Sequence, residues 1–221
     1  MRSSLGARLA ASVPAAIVAV ALSIAPVAAQ QVPHMPDPVA VTVSPASTAL
    51  LVMDVVPAIC SAQQPNCIAL VPRLAALIAA ARKAGVFVVY SAAQLTPLAE
   101  PVGPVPFLTA IAPQKGDPII LGAAQDRFFS TTLDGLLRRH GVTTLILTGW
   151  RENGSVLYTA VGANLHDYTV VVAEDATSAT HDYDVAVGRY QLLTQLNGNA
   201  NNEPLKKGAV TLSRGDLITY R

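Results

Sequence analysis

Asp54 and Ser155 are the two residues of this sequence whose type and setting suit chemistry on a carbonyl group. Asp54 ends the apolar run Ala-Leu-Leu-Val-Met at positions 49–53, so its carboxylate leaves the core at the exit of a buried strand. Partial desolvation there raises its pKa and makes it a better base. Ser155 follows the turn Gly-Trp-Arg-Glu-Asn-Gly at 149–154 and opens a stretch of helical period. That places the backbone N–H groups of Gly154 and Ser155 at a helix start, where they suit an oxyanion. Trp150 and Arg151 lie in the same turn and are candidates to bind substrate. Tyr158 lies beyond it, placed either to line a pocket or to enter the core. Glu152 and Asn153 either orient a polar ligand or solvate the loop. A plainer reading of Asp54 stays open, since a strand-end carboxylate can simply cap backbone N–H groups.

Other chemistry finds less support. His181 and Asp184 could share a metal, but a single His without a second at ligand spacing is more often a helix-start or surface residue. No metal and no cofactor is therefore expected. The Ser-x-x-Lys, Gly-x-Ser-x-Gly and His-Glu-x-x-His patterns of the better-known serine and zinc hydrolases do not occur in the chain.

The elements that must position these residues alternate between short β-branched runs and longer stretches of helical period, the mark of a parallel α/β sheet. Strands are expected at 49–54, 86–90, 118–121, 144–148 and 169–173, with an edge strand at 210–212. Helices are expected from Asn66 to a stop at Gly85, from Thr131 to His140, from Gly154 to Leu165 and from Tyr183 to Gln195. Between Ser91 and Asp117, the prolines at 97, 101, 104, 106 and 113 predict a long surface loop of the kind that covers a site. The fold class that follows is α/β, a doubly wound and mostly parallel sheet with helices on both faces. In such sheets ligands bind at the carboxyl ends of strands where the strand order reverses, which is where Asp54 and Ser155 would emerge.

The chain has 221 residues, 52% hydrophobic and 13% charged, with a formal charge of +1. Intrinsic disorder and charge-driven nucleic-acid binding are both disfavoured by these values. Arg2 and Arg8, the apolar segment 13–25 and the small-residue exit Val27, Ala28, Ala29 form an export-signal profile. The expected organisation is a signal peptide at 1–29, a linker at 30–45 and one domain at 46–221. Cleavage removes two arginines and no acid, leaving a nearly neutral periplasmic or secreted protein with no membrane segment. In an oxidising compartment Cys60 and Cys67 are expected to form a disulfide across a short loop. The partner expected is a small-molecule substrate or ligand, and a homo-oligomer stays open.

The same residues carry a resemblance to the isochorismatase-like hydrolases, which include cysteine amidohydrolases. It extends over residues 48–217: the Asp motif at 49–54, Ala84-Gly85-Val86 before the second strand, and Lys-Gly-Asp-Pro-Ile-Ile-Leu-Gly at 115–122. The fullest stretch is His-Gly-Val-Thr-Thr-Leu-Ile-Leu-Thr-Gly at 140–149, continuing through 155–160 to 168–176. The resemblance implies the isochorismatase-like fold and a catalytic set of Asp, Lys and Cys, in which the Asp takes the thiol proton and the Lys stabilises charge. Asp54 matches. The cysteine position falls on Ser155, and the lysine position falls on Gly122.

These departures have physical consequences. A serine hydroxyl is un-ionised at neutral pH and needs a base and an oxyanion hole. Without the lysine, Arg127 or Arg151 is left to supply positive charge, and a guanidinium cannot transfer protons. With so few ionisable residues, the missing lysine is not expected to be easily repaired by a neighbour. Three readings follow: a hydrolase of diverged mechanism acting on a small amide or related carbonyl compound, a catalytically silent ligand-binding protein, and an assembly partner.

Overall fold

The computed structural model describes residues 35–93, 105–195 and 197–221. The expected export signal at 1–29 and the prolines at 97, 101 and 104 lie outside them. Among the described residues, eight strands and four helices follow in the order β1 (Val41–Val43), β2 (Thr48–Met53), α1 (Pro65–Ala84), β3 (Phe87–Ala93), β4 (Ile119–Gly122), α2 (Leu133–Arg139), β5 (Thr144–Trp150), α3 (Leu157–Leu165), β6 (Thr169–Ser178), α4 (Asp182–Thr194), β7 (Val210–Ser213) and β8 (Ile218–Tyr220).

Six strands form one sheet in the order β4-β3-β2-β5-β6-β7, with every pairing parallel. This is the doubly wound α/β arrangement expected from the sequence. Alternate residues of β2 serve opposite layers of core: Leu50 and Val52 pack with Leu70, Leu74 and Leu77 of α1. Ala49, Leu51 and Met53 pack with Leu137 of α2, Ala160 of α3 and Leu192 of α4. Each strand must satisfy both layers, so β2 reads as an unbroken apolar run rather than an alternating one.

The structure corrects several boundaries. Val41–Val43, read as the end of a linker, is a strand that pairs in parallel with Ile218–Tyr220. Only Val41 and Val43 turn inward, and three residues are too few for a period to show. The fifth sheet strand runs to Ser178 rather than 173, because β6 continues past a register shift along β5 as far as Trp150. The helix expected from Gly154 starts at Leu157, after a π-type turn at Glu152–Val156.

Candidate active site

The strand order reverses at β2 and β5, and the exits of these two strands are pressed together. Gly149 has φ +107, and a Cβ on it would lie 2.1 Å from the Met53 carbonyl oxygen. Only glycine permits that approach. Beside it Asp54 turns out of β2 with φ 58, in the left-handed region, while its N–H donates to the Ser91 carbonyl at 3.0 Å. A non-glycine residue held in that region at a strand exit is the kind of local strain found at functional sites.

Across 101 residues of sequence, the Ser155 hydroxyl donates to Asp54 Oδ2 at 2.6 Å. The same carboxylate oxygen accepts from Arg127 Nη2, which also donates to Ser155 Oγ at 3.1 Å. Because a guanidinium can only donate, Ser155 Oγ must accept from Arg127 and direct its own proton to Asp54. Asp54 and Arg127 are buried, and Ser155 is 8% exposed. Burial pushes the Asp54 carboxyl above its ordinary value, opposed first by the Arg127 charge and then by the hydrogen bond from Ser155. The buried carboxylate is paired to one cation and one hydroxyl, and a backbone hydrogen bond at Ala93 also lowers its pKa, so the capping reading of Asp54 stands beside the functional one.

Arg127 fills the space beside Gly122, the position to which the resemblance assigns a lysine. A Cβ on Gly122 would lie 3.2 Å from Arg127 Nη1, which donates to the carbonyls of Gly122 at 2.9 Å and Ala124 at 2.6 Å. The segment is held by its own backbone: Arg127 N–H donates to Thr159 Oγ1 on α3 at 3.1 Å, and the Thr131 hydroxyl donates to the Arg127 carbonyl at 2.5 Å. Of the two arginines left to supply positive charge, Arg127 is the one paired to Asp54. Its only sequence signal was an arginine following the small-residue turn at 122–126, with nothing to show that the chain folds back there.

The turn carrying Ser155 differs from expectation in one respect. Gly154 N–H donates to the Arg151 carbonyl at 2.9 Å, so it is engaged within the turn and not offered to an oxyanion. Glu152, read as an orienting or solvating residue, is wholly buried. It accepts from Arg189 Nε at 3.1 Å and from the Thr177 hydroxyl at 3.2 Å. Burial pushes its pKa from 4.5 to about 7, against the opposing pull of Arg189. Arg189 of α4 also reaches Glu174 at 3.2 Å. Sequence reasoning did not single it out, since an arginine on a helix is ordinarily a solvated side chain.

Asp54, Arg127 and Ser155 open onto a cavity of about 340 Å³ whose wall includes Trp150, Arg151 and Gly154 together with Ile59, Gln64, Gln125 and Thr180. Trp150 also belongs to the core layer on the α1 side. Tyr158 is 51% exposed and enters neither pocket nor core. Cys60 and Cys67 form the expected disulfide, tying the start of α1 to the loop that carries Ile59 and Gln64. His181 Nδ1 meets Asp184 Oδ2 at 3.1 Å on the surface, and among the described residues no three potential metal ligands gather. No helix of the described residues is long and apolar enough to cross a membrane.

Comparison with known proteins agrees with this architecture. The isochorismatase domain model matches residues 48–197. The chain is similar to a maleamate amidohydrolase of Pseudomonas putida, 27% identical over 53% of this chain and 63% of that one. It is also similar to a ureidoacrylate amidohydrolase of Yersinia enterocolitica, 36% identical over 38% and 37% of the two chains. It therefore spans less than two thirds of the length of these curated relatives. A crystal structure of a cysteine hydrolase from Pseudomonas syringae superposes with a TM-score of 0.67 at 22% identity, covering 82% of this chain and 95% of that one, which is a likeness of fold. With its family domain spanning the sheet from β2 to the end of α4, the chain belongs to the isochorismatase family.

Proposed function

We propose that this protein is an exported hydrolase that cleaves a small amide or related carbonyl compound with Ser155 as nucleophile. The observation that carries the reading is the pair of short contacts in which Ser155 Oγ donates to Asp54 and accepts from Arg127. In the first step, Oγ attacks the carbonyl carbon while its proton passes to Asp54 Oδ2. The mechanism assigns the developing oxyanion to the Ser155 N–H, and Arg127 offsets the negative charge. Collapse expels the amine, which takes the proton from Asp54 and leaves an acyl ester on Ser155. Water then attacks the ester, giving one proton to Asp54, and Ser155 leaves as the hydroxyl by recovering it.

Two further observations support the reading. Burial makes Asp54 more basic than an exposed carboxylate, and the names of the curated relatives describe hydrolysis of amides.

A second reading, a silent ligand-binding protein, is favoured by the Arg127–Asp54 ion pair, since a paired cation reduces the basicity that Asp54 needs. Purified protein assayed against a panel of small amides and carbamoyl compounds decides between them. Turnover that falls about a hundredfold or more in both Ser155→Ala and Asp54→Asn is expected. Turnover that survives both substitutions sinks the mechanism, and ligands that raise the melting temperature without being turned over favour the silent reading.

A further inference from the structure

We propose that Glu152 and Arg189 are positioning residues for Ser155: their buried ion pair anchors the turn that carries the nucleophile and so sets the span between the Ser155 hydroxyl and Asp54. This rests on the hydrolase reading for its effect on rate, but not for its effect on geometry.

Glu152 and Ser155 belong to one π-type turn, Glu152–Val156, in which Gly154 departs from helical geometry. A turn interrupted in this way lacks a regular ladder of backbone hydrogen bonds, so contacts from outside it decide its shape. The turn faces two ways. Arg151, Gly154 and Ser155 line the cavity, whereas the Glu152 carboxylate accepts from Arg189 Nε of α4 at 3.1 Å and from the Thr177 hydroxyl of β6 at 3.2 Å. Arg189 is itself fixed by β6, reaching the Glu174 carboxylate at 3.2 Å and donating to the Glu174 carbonyl at 3.3 Å. The α4 backbone also lies directly on the turn, since a Cβ on Gly188 would lie 3.1 Å from the Asn153 nitrogen and 3.2 Å from the Glu152 carbonyl carbon. One ion pair therefore joins the nucleophile turn to both α4 and β6.

Stability does not explain the pair. Burial pushes the Glu152 pKa to about 7, so its ionised form weakens the fold, and buried ion pairs can often be replaced by apolar side chains without loss. What such a pair supplies is charge-assisted hydrogen bonds of fixed direction. Three residues on, Ser155 Oγ stands 2.6 Å from Asp54 Oδ2 and 3.1 Å from Arg127 Nη2, and proton transfer needs contacts of about 2.6–3.2 Å. A shift of about 1 Å in the turn would break them and cost up to about a hundredfold in rate. Of the elements packed against the turn, α3 and β5 carry no charged residue, β6 brings Glu174 and Asp175, and α4 brings Asp182, Asp184 and Arg189. Arg189 and Glu174 are the ones that act on Glu152.

Glu152→Gln and Arg189→Gln, assayed at pH 8 where wild-type Glu152 is mostly ionised, are expected to lower kcat about ten- to hundredfold with KM within about twofold. Arg189→Lys should recover part of the loss. Glu152→Gln should show its deficit with no loss of stability in urea, and the deficit should close as pH falls below about 7, because wild type then takes up the matching proton. Asp54 titrates in both proteins and cancels from the ratio. A Glu152→Gln kcat equal to wild type at pH 8, a deficit that tracks lost stability, or one that does not change with pH overturns the proposal. Absence of turnover of any amide by wild type would defeat the hydrolase reading alone, and crystal structures then decide. A Ser155 Oγ to Asp54 Oδ2 separation longer in Glu152→Gln than in wild type leaves the positioning role standing, and an unchanged separation overturns it.

Discussion

Gly122 and Arg127 share one place beside Asp54: a Cβ on the glycine would lie 3.2 Å from the arginine's Nη1, and that nitrogen donates to the glycine's own carbonyl at 2.9 Å. The cation beside Asp54 therefore arrives from the turn after β4 rather than from the strand end itself. A guanidinium supplies charge there without transferring protons, so the proposed mechanism assigns proton transfer to Asp54.

Removing the cation should be costly. Arg127→Leu leaves a buried carboxylate without its partner and is expected to destabilise the protein by about 3–5 kcal/mol. Arg127→Leu with Asp54→Asn, in which no charge remains, should recover much of that loss. Urea unfolding of the two single variants and the double variant gives the coupling. Strictly additive effects would contradict a direct pairing.

Gly122→Lys alone should be poorly tolerated, since the new side chain enters space held by the Arg127 guanidinium and brings a second positive charge. A loss of about 1–3 kcal/mol is expected from overpacking. Adding Arg127→Ala should relieve it, and with Ser155→Cys as well the Asp, Lys and Cys of the family pattern stand together. Amidase activity sensitive to thiol alkylation in that triple variant, and absent from Ser155→Cys alone, is the expected result.

Glu152 should make stability depend on pH. Its folded pKa is raised from 4.5 to about 7, so between those values the folded state holds a proton that the unfolded state has lost. Stability falls as pH rises through that window, by an amount of order 3 kcal/mol, and is level above it. Glu152→Gln resembles the protonated form and should flatten the decline. Denaturant unfolding at pH 5 and pH 8 checks this: the variant should match wild type at the lower pH and exceed it at the higher.

Reduction of Cys60–Cys67 should lower stability by about 2–3 kcal/mol, the loop-closure entropy of so short a ring. It should also raise KM more than it lowers kcat, since the loop it ties carries Ile59 and Gln64 of the cavity wall and none of the reacting groups. Steady-state kinetics with and without reductant separates the two effects.

The apolar run at 49–53 and the β-branched runs after it specified a parallel sheet because strands buried on both faces leave no room for polar alternation. The same logic located Asp54 and Ser155, since a carboxylate ending such a run and a glycine-rich turn opening a helix both fall at strand exits. Val41–Val43 was not legible, because a strand of three residues gains its order from pairing with Ile218–Tyr220 and not from its own pattern. Arg127 was legible only as one of two candidate cations, and Arg189 was not legible at all. Both are isolated arginines in sequence, and what places them is burial against carboxylates 73 and 37 residues away. Local periodicity thus determined the sheet and the strand exits at which Asp54 and Ser155 stand. Only the tertiary structure decided which cation completes the site, because ion pairing depends on distance in space and on the dielectric around the pair, neither of which is written in neighbouring residues.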